Sequence, residues 1–212
     1  GTEEQVARYL PELMRWPSAF CFTEKLVGSD PARMRTCAVR RHGTVIIDGK
    51  ETSVIVGYEL YGEKWYATNS VWKGGEPLAE HLAVIARIVD SRKELDDQKA
   101  ELCFGAFIVP SAAHGVSGVA MADPSPTRVK ILQRAHFLGM KGIFNGVLSF
   151  DKVFVSAETR IGKEGEGFKI ALQALNTGRI SIAGICTENS AKCLSIMRWW
   201  GKDRVQWGKP IG

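Results

Sequence analysis

The sequence predicts an α+β chain: a central all-β barrel or sandwich flanked by an N-terminal helix and by one long helix of the kind found in bundles. Three observations carry this. Apolar residues recur at 3–4 spacing near the N-terminus, at Val6, Tyr9, Leu10, Leu13 and Met14. From residue 19 to 155 the texture changes to short strand-like runs separated by Gly, Pro, Asp and Asn, with no long helical pattern between them. From 165 to 200 helical spacing returns at Phe168, Ala171, Leu172 and Leu175, then at Ile182, Ile185, Cys193, Ile196 and Trp200.

The first helix is expected over 2–16. Thr2 followed by Glu3, Glu4 and Gln5 has the form of a capped start, and Pro17 ends the pattern. Strands are expected at Ala19–Thr23, Arg35–Arg40, Thr44–Ile47, Ser53–Leu60, Lys64–Thr68, His81–Ile88, Leu102–Val109, Val116–Met121, Val129–Leu132 and Gly146–Val155. Asp48-Gly49 fits a hairpin turn. Asp90–Glu101 is charged, has no apolar period and reads as an exposed connection between strands. The C-terminal helix spreads its apolar residues over more than one face, as a helix buried in a bundle does. A helix this apolar is not stable alone, so either other chains cover it or its partner helices lie beyond residue 212.

Composition narrows the function classes. A chain of 212 residues with 45% apolar and 24% charged residues can form a hydrophobic core without disulfide staples, which excludes collagen-like and disordered chains. No apolar run reaches the ~18 residues of a membrane span. GTEEQVARYL mixes acids and bases and is not a signal peptide. The absent initiator Met and the stop at GKPIG make both ends look cut. The net charge of +5 is scattered rather than striped, so nucleic acid is not an expected partner. Cys21, Cys37, Cys103, Cys186 and Cys193 are odd in number and contain no CxxC, which points to a reducing compartment and to buried thiols. His42, His81, His114 and His136 have no metal-ligand spacing, and no metal is expected. The cluster Gly162-Lys-Glu-Gly165-Glu-Gly167 fits no phosphate-loop pattern, and its acids would repel phosphate; it reads as a strand-to-helix turn.

Four segments say more. They are Phe20-Cys-Phe-Thr-Glu-Lys-Leu-Val-Gly-Ser-Asp30; Gly62-Glu-Lys-Trp-Tyr-Ala-Thr-Asn69; Phe150-Asp-Lys-Val-Phe-Val155 with Ile161–Phe168 and Leu175-Asn-Thr-Gly-Arg179; and Arg204-Val-Gln-Trp-Gly-Lys-Pro-Ile211. In this order the chain resembles the acyl-CoA dehydrogenase family over nearly its whole length, with Leu138-Gly-Met-Lys141 leaning toward the long- and very-long-chain branch. The resemblance implies a multidomain fragment: the end of an N-terminal helical domain at 1–17, a central β-barrel domain at 18–157, and the start of a C-terminal four-helix bundle at 158–212. It implies an FAD-dependent oxidoreductase of fatty acid β-oxidation, which desaturates an acyl-CoA thioester with hydride transfer to flavin N5. The alternatives are an acyl-CoA oxidase, or a non-catalytic flavin- or nucleic-acid-binding protein on the same scaffold. An electron-transfer flavoprotein would take the electrons, and the subunits would form a homodimer or homotetramer, in the cytoplasm or the mitochondrial matrix.

The resemblance also implies roles for particular residues. Phe20, Cys21, Phe22 and Thr23 would line the flavin, Gly28 would let backbone approach cofactor or CoA phosphate, and Ser29 would sit near pyrophosphate and substrate. Tyr66 stands where the family usually has Trp against the flavin, with Ala67 beside it and Thr68 hydrogen-bonding the ring. A strand cannot put both Trp65 and Tyr66 on the cofactor. Asn176 and Arg179, on one helix face, would lie near CoA or the floor of the acyl site; alternatively Arg179 is a charge partner within the bundle. Arg204, Gln206 and Trp207 would reach the FAD of a neighbouring subunit. Read without the resemblance, Thr23 and Ser29 are ordinary turn hydrogen-bonders and Arg204 is a helix-end Arg in solvent. There are departures from the family: Lys25 replaces the usual Pro, Val155-Ser156 replaces Val-Pro, and Ile47–Tyr58 and Val71–Glu80 are longer than usual. Gly178 occupies a position where some members carry the catalytic Glu, so no catalytic base is expected among these residues.

Overall fold

The computed structural model describes residues 1–47, 49–97, 101–111 and 129–212. The strand expected at Val116–Met121, Asp48 of the expected turn, His114, and residues 98–100 of the charged connection lie outside the described residues. The described chain divides into two compact units, Gly1–Ala171 and Leu172–Gly212.

In the first unit, α1 (Glu3–Arg15) starts on a reciprocal cap: Gln5 N–H donates to Thr2 Oγ1, and the Gln5 side chain accepts from the Thr2 N–H. The other amide end of Gln5 donates to the carbonyls of Glu158 and Arg160 at 2.7 and 2.8 Å. Glu12 meets His81 Nε2 at 3.1 Å, and Tyr9 packs edge-on to the same imidazole. Of the apolar face only Tyr9 is buried; Val6, Leu10, Leu13 and Met14 are exposed.

The strands are β1 (Ser18–Cys21), β2 (Cys37–Ile47), β3 (Lys50–Thr68), β4 (His81–Val89), β5 (Phe104–Pro110), β6 (Val129–Arg134), β7 (Asn145–Ser156) and β8 (Arg160–Ile161). They form one mixed sheet in the order β6-β7-β3-β2-β4-β5-β8, with β1 parallel to β4. Four expected runs merge in pairs. Arg35–Arg40 and Thr44–Ile47 become β2, and Ser53–Leu60 and Lys64–Thr68 become β3, because bulges absorb the Gly and polar interruptions without ending the ladder. The charged connection after β4 contains a short 3₁₀ helix, Arg92–Asp96, capped reciprocally by Ser91 and Glu94, where sequence reading expected a plain linker. Alternate residues of β4 serve both faces: Val84 and Ala86 join the main core with Tyr58, Leu60, Phe107 and Leu148, while Ile85 joins a second cluster with Val27, Met34 and Phe104. This is why LAVIARIV is almost uniformly apolar.

The turn that sequence reading assigned to the glycine cluster is held by charge. Glu164 accepts from the hydroxyl of buried Tyr58 at 2.7 Å and pairs with Arg40 at 2.9 Å and Arg160 at 3.5 Å. The two arginines and the Tyr58 hydroxyl hold its carboxyl below the usual carboxylate range, although burial alone would raise it. Gly162 and Gly165 take positive φ. At Gly167 an added Cβ would lie 2.4 Å from the Gly105 carbonyl carbon, so here the chain packs backbone on backbone.

The long helix α2 (Gly167–Asp203) begins in the first unit, where Phe168, Ile170 and Ala171 pack on the second cluster. In the second unit it runs on to a hairpin not expected from sequence, β9 (Val205–Gln206) with β10 (Lys209–Pro210). Trp207 (φ 49°) and Gly208 (φ 77°) form its two-residue loop, the sign pattern of a type I′ turn.

Candidate functional site

The Phe20–Ser29 segment and the end of β3 are brought together. Trp65 N–H donates to the Thr23 carbonyl at 2.8 Å. Lys64, wholly buried, donates to the Phe22 carbonyl at 3.0 Å and to Glu24 Oε1 at 3.1 Å. Glu24 also accepts the backbone N–H groups of Arg35 and Thr36, at 2.8 and 2.9 Å. Burial opposes the Glu24 charge, but Lys64 and these hydrogen bonds outweigh it and hold the carboxyl below its usual range. Burial lowers Lys64 to about 8 despite Glu24. This ion pair clamps the loop after β1 to β3. Sequence reading missed it; the signal available was a Lys inside a strand, four residues before Thr68.

Next to the clamp β3 bulges. Between Lys64 and Ala67 it uses three residue steps where β7 uses two. Tyr66 takes φ 59°, a region that non-glycine residues adopt mainly where the surroundings fix it. The residue is 53% exposed, and its ring lies 6.1 Å from that of Phe137, an aromatic neighbour that no sequence signal marked. Thr68 is also exposed, and its hydroxyl meets Asn145 Oδ1 at 3.3 Å. Trp65 goes elsewhere: Lys25 lies over it at 5.6 Å and its indole N–H reaches Glu63. As expected, the strand does not present Trp65 and Tyr66 alike.

The remaining residues of this wall differ in what they offer. Phe20 and Phe22 stack at 5.9 Å and pack, half-buried, on the second cluster. Cys21 and Ala67 point into the main core, and burial pushes the Cys21 thiol up to about 12, so only their backbones can line a ligand. Thr23 is half-buried and Ser29 exposed. Around Gly28 an added Cβ would meet nothing within 4 Å.

In the second unit, Arg179 Nη1 donates to Asn176 Oδ1 at 3.0 Å, so these two are brought together on the helix. An added Cβ at Gly178 would meet nothing within 4 Å. Arg204 lies over the Trp200 ring at 5.9 Å, Gln206 is half-buried in β9, and Trp207 stands 93% exposed at the turn.

Comparison with known proteins agrees on one family. No family model matches the chain. The probable acyl-CoA dehydrogenase FadE10 of Mycobacterium tuberculosis is 38% identical over all of the chain, which spans 27% of that protein's length. An acyl-CoA dehydrogenase of Bacillus subtilis is 30% identical over the whole chain, which spans 46% of it. Among solved structures, butyryl-CoA dehydrogenase from Megasphaera elsdenii matches all of the chain and 46% of its own, with TM-score 0.70 and 29% identity. An acyl-CoA dehydrogenase of Bacillus anthracis, complexed with FAD, matches all of the chain and 30% of its own, with TM-score 0.68 and 28% identity. The chain thus covers between about a quarter and a half of the length of these relatives, and over that span it is similar to acyl-CoA dehydrogenases.

Proposed function

We propose that the chain supplies the flavin-binding β domain and the opening bundle helix of an FAD-dependent acyl-CoA dehydrogenase, with domain limits at 1–17, 18–157 and 158–212. The observation that carries this reading is the clamped, bulged end of β3, which turns Tyr66 and Thr68 outward beside the Thr23 segment. The fit to a flavin is chemical. A flat ring system suits the exposed Tyr66 face, the Thr23 hydroxyl can donate to a ring heteroatom, and the Thr68 hydroxyl, whose proton goes to Asn145 Oδ1, can accept from a ring N–H. The open space at Gly28, next to Ser29, suits a pyrophosphate. When bound, FAD supplies the acceptor for the hydride leaving an acyl-CoA thioester.

The chain's own residues orient and shield. Phe20, Cys21, Phe22 and Ala67 give the wall its apolar backing. Lys64 and Glu24 fix the loop, so the Thr23 hydroxyl need not be reorganised on binding. Asn176 and Arg179 hold the CoA side. Arg204, Gln206 and Trp207 reach the cofactor of a second subunit in a homodimer or homotetramer; the exposed Trp207 supports that role. The base that removes the α proton comes from outside these residues, since Gly178 carries no carboxylate. An electron-transfer flavoprotein is the proposed acceptor, and the cytoplasm or mitochondrial matrix the compartment, in keeping with five free cysteines. Among the described residues no helix is long and apolar enough to cross a membrane.

A second reading, an oxidase, has one observation in its favour: the prolyl acyl carrier protein oxidase AnaB matches the whole chain with TM-score 0.72 and 25% identity. The test is to purify the intact protein, measure bound FAD, and follow bleaching of its absorbance with acyl-CoA in the absence of oxygen. Bound FAD that bleaches is the expected result, with retention falling at least about tenfold in Tyr66→Ala. A colourless protein that takes up no FAD overturns the proposal. Rapid reoxidation by oxygen alone decides for the oxidase.

A further inference from the structure

Arg87, in β4, is only 6% exposed, yet its Nε has no hydrogen-bond partner. Nor does any ion pair among the described residues include it. A buried N–H left without an acceptor is costly, and the guanidinium that carries it is placed to meet an incoming anion. Arg87 lines a cleft of about 730 Å³ in the first unit, together with Arg33 and Trp65.

The charges on the cleft wall are unequally engaged. Glu24 is taken by Lys64, and Asp96 pairs with Arg35 at 2.8 Å. Glu63 accepts from the neutral Trp65 indole, Asp97 on the same wall is also engaged, and Lys25 lies over the Trp65 ring. Arg33, exposed at the mouth, forms no ion pair among the described residues, so it stands with Arg87 as a second available guanidinium. Leu26, Val27 and Leu102 add apolar surface to the same wall.

We propose that this cleft is a binding site for a small oxyanion-bearing molecule, a carboxylate or a phosphate monoester. Arg87 supplies paired N–H donors to the anion, Arg33 closes over it, and Leu26, Val27 and Trp65 cover the apolar part. A guanidinium suits either anion because both present two oxygens to its planar fork. Since Trp65 rather than Tyr66 lines the cleft, the site uses a different set of side chains from the flavin wall, and its occupation does not require the cofactor.

The test uses calorimetry on the intact protein at constant ionic strength in chloride, with inorganic phosphate and butyrate titrated separately. At least one is expected to bind, to raise Tm as it saturates, and to lose about tenfold or more in affinity in Arg87→Met. Arg87→Lys, which keeps the charge without the fork, is expected to fall between the two. The tighter of phosphate and butyrate identifies the source of the oxyanion. If neither binds the unmodified protein, or if Arg87→Met binds equally well, the proposal is overturned. Should Arg87→Met fail to fold, the comparison rests on Arg87→Lys, where unchanged affinity for both anions has the same meaning.

Discussion

In the sheet, Leu60, Leu82, Phe107 and Leu148 are at most 1% exposed, whereas along α2 the side chains of Ile180, Ile182, Ile185 and Trp199 are 55–76% exposed. Both regions are rich in large apolar residues, so composition does not separate them. The difference lies in who supplies the second surface. Each strand finds its partner within the first unit, and several of its charges are matched there too, as at Lys64–Glu24 and Glu164–Arg40, with Arg87 the exception already described. The helix, from Leu172 on, turns apolar residues in several directions without covering them. Substitutions in the sheet are therefore expected to act on folding, and substitutions on the exposed helix to leave folding nearly unchanged.

The largest effect is expected at Lys64. Lys64→Met leaves the buried Glu24 carboxylate without its cation and is expected to cost about 3–5 kcal/mol by urea denaturation, with most of it recovered in the double variant with Glu24→Gln. The pH dependence has a definite sign. Between about pH 8 and the usual lysine value near ~10.4, the unfolded chain holds more protons at this residue than the folded one, so Lys64 makes stability rise with pH across that window. Glu24, held low, contributes stability above the usual carboxylate range, which is lost as pH falls through its folded value. A denaturation series in which Lys64→Met shows the same alkaline slope as the unmodified protein would remove the buried clamp from the account.

A smaller loss is expected at Glu164→Gln, about 2 kcal/mol, because the amide keeps the Tyr58 contact but gives up the charge that Arg40 and Arg160 surround. Thermal unfolding measures it; a change below about 0.5 kcal/mol would mean the glycine-rich turn does not depend on this carboxylate. The smallest effect, and of opposite sign, is expected in the helix. Gly178→Ala meets no neighbour and is expected to stabilise by at most about 1 kcal/mol, read from the same unfolding curves. A clear loss there would show that Gly178 already faces a packed surface, and the contrast between sheet and helix would fail at that point.

The element types were legible wherever one period governed a segment. The Thr2 cap, the α1 pattern and the apolar runs of β4 and β7 needed only local rules. Two local features escaped for different reasons. The Ser91-Arg-Lys-Glu94 spacing is that of a capped turn but sits in a segment with no apolar period to draw attention to it, and the hairpin at Arg204–Ile211 was hidden because Trp at positive φ contradicts residue preference. At the candidate site, the motif resemblance drew attention to Thr23, Tyr66 and Thr68, and the fold does bring their segments together. It could not separate the side chains that face outward from Cys21 and Ala67, whose neighbours in the strand they share a motif with but not a direction. Lys64 and Arg87 were invisible for the opposite reason: a cation in a strand reads as surface until its burial is known.

The hairpin of β2 and β3 has a consequence for how this chain can vary. Beyond the bulge at Arg41/His42, the two strands run on to Ile47 and Lys50 with hardly a buried residue on either face. Their register is inherited from the core end of the same ladder, where Ala38 faces Leu60, and burial within the arm adds little to it. An insertion of one residue into each strand keeps the ladder paired and disturbs nothing beneath it, while the same change nearer Tyr58 would rotate core side chains into water. This arm is therefore where a change in chain length is expected to cost the fold least.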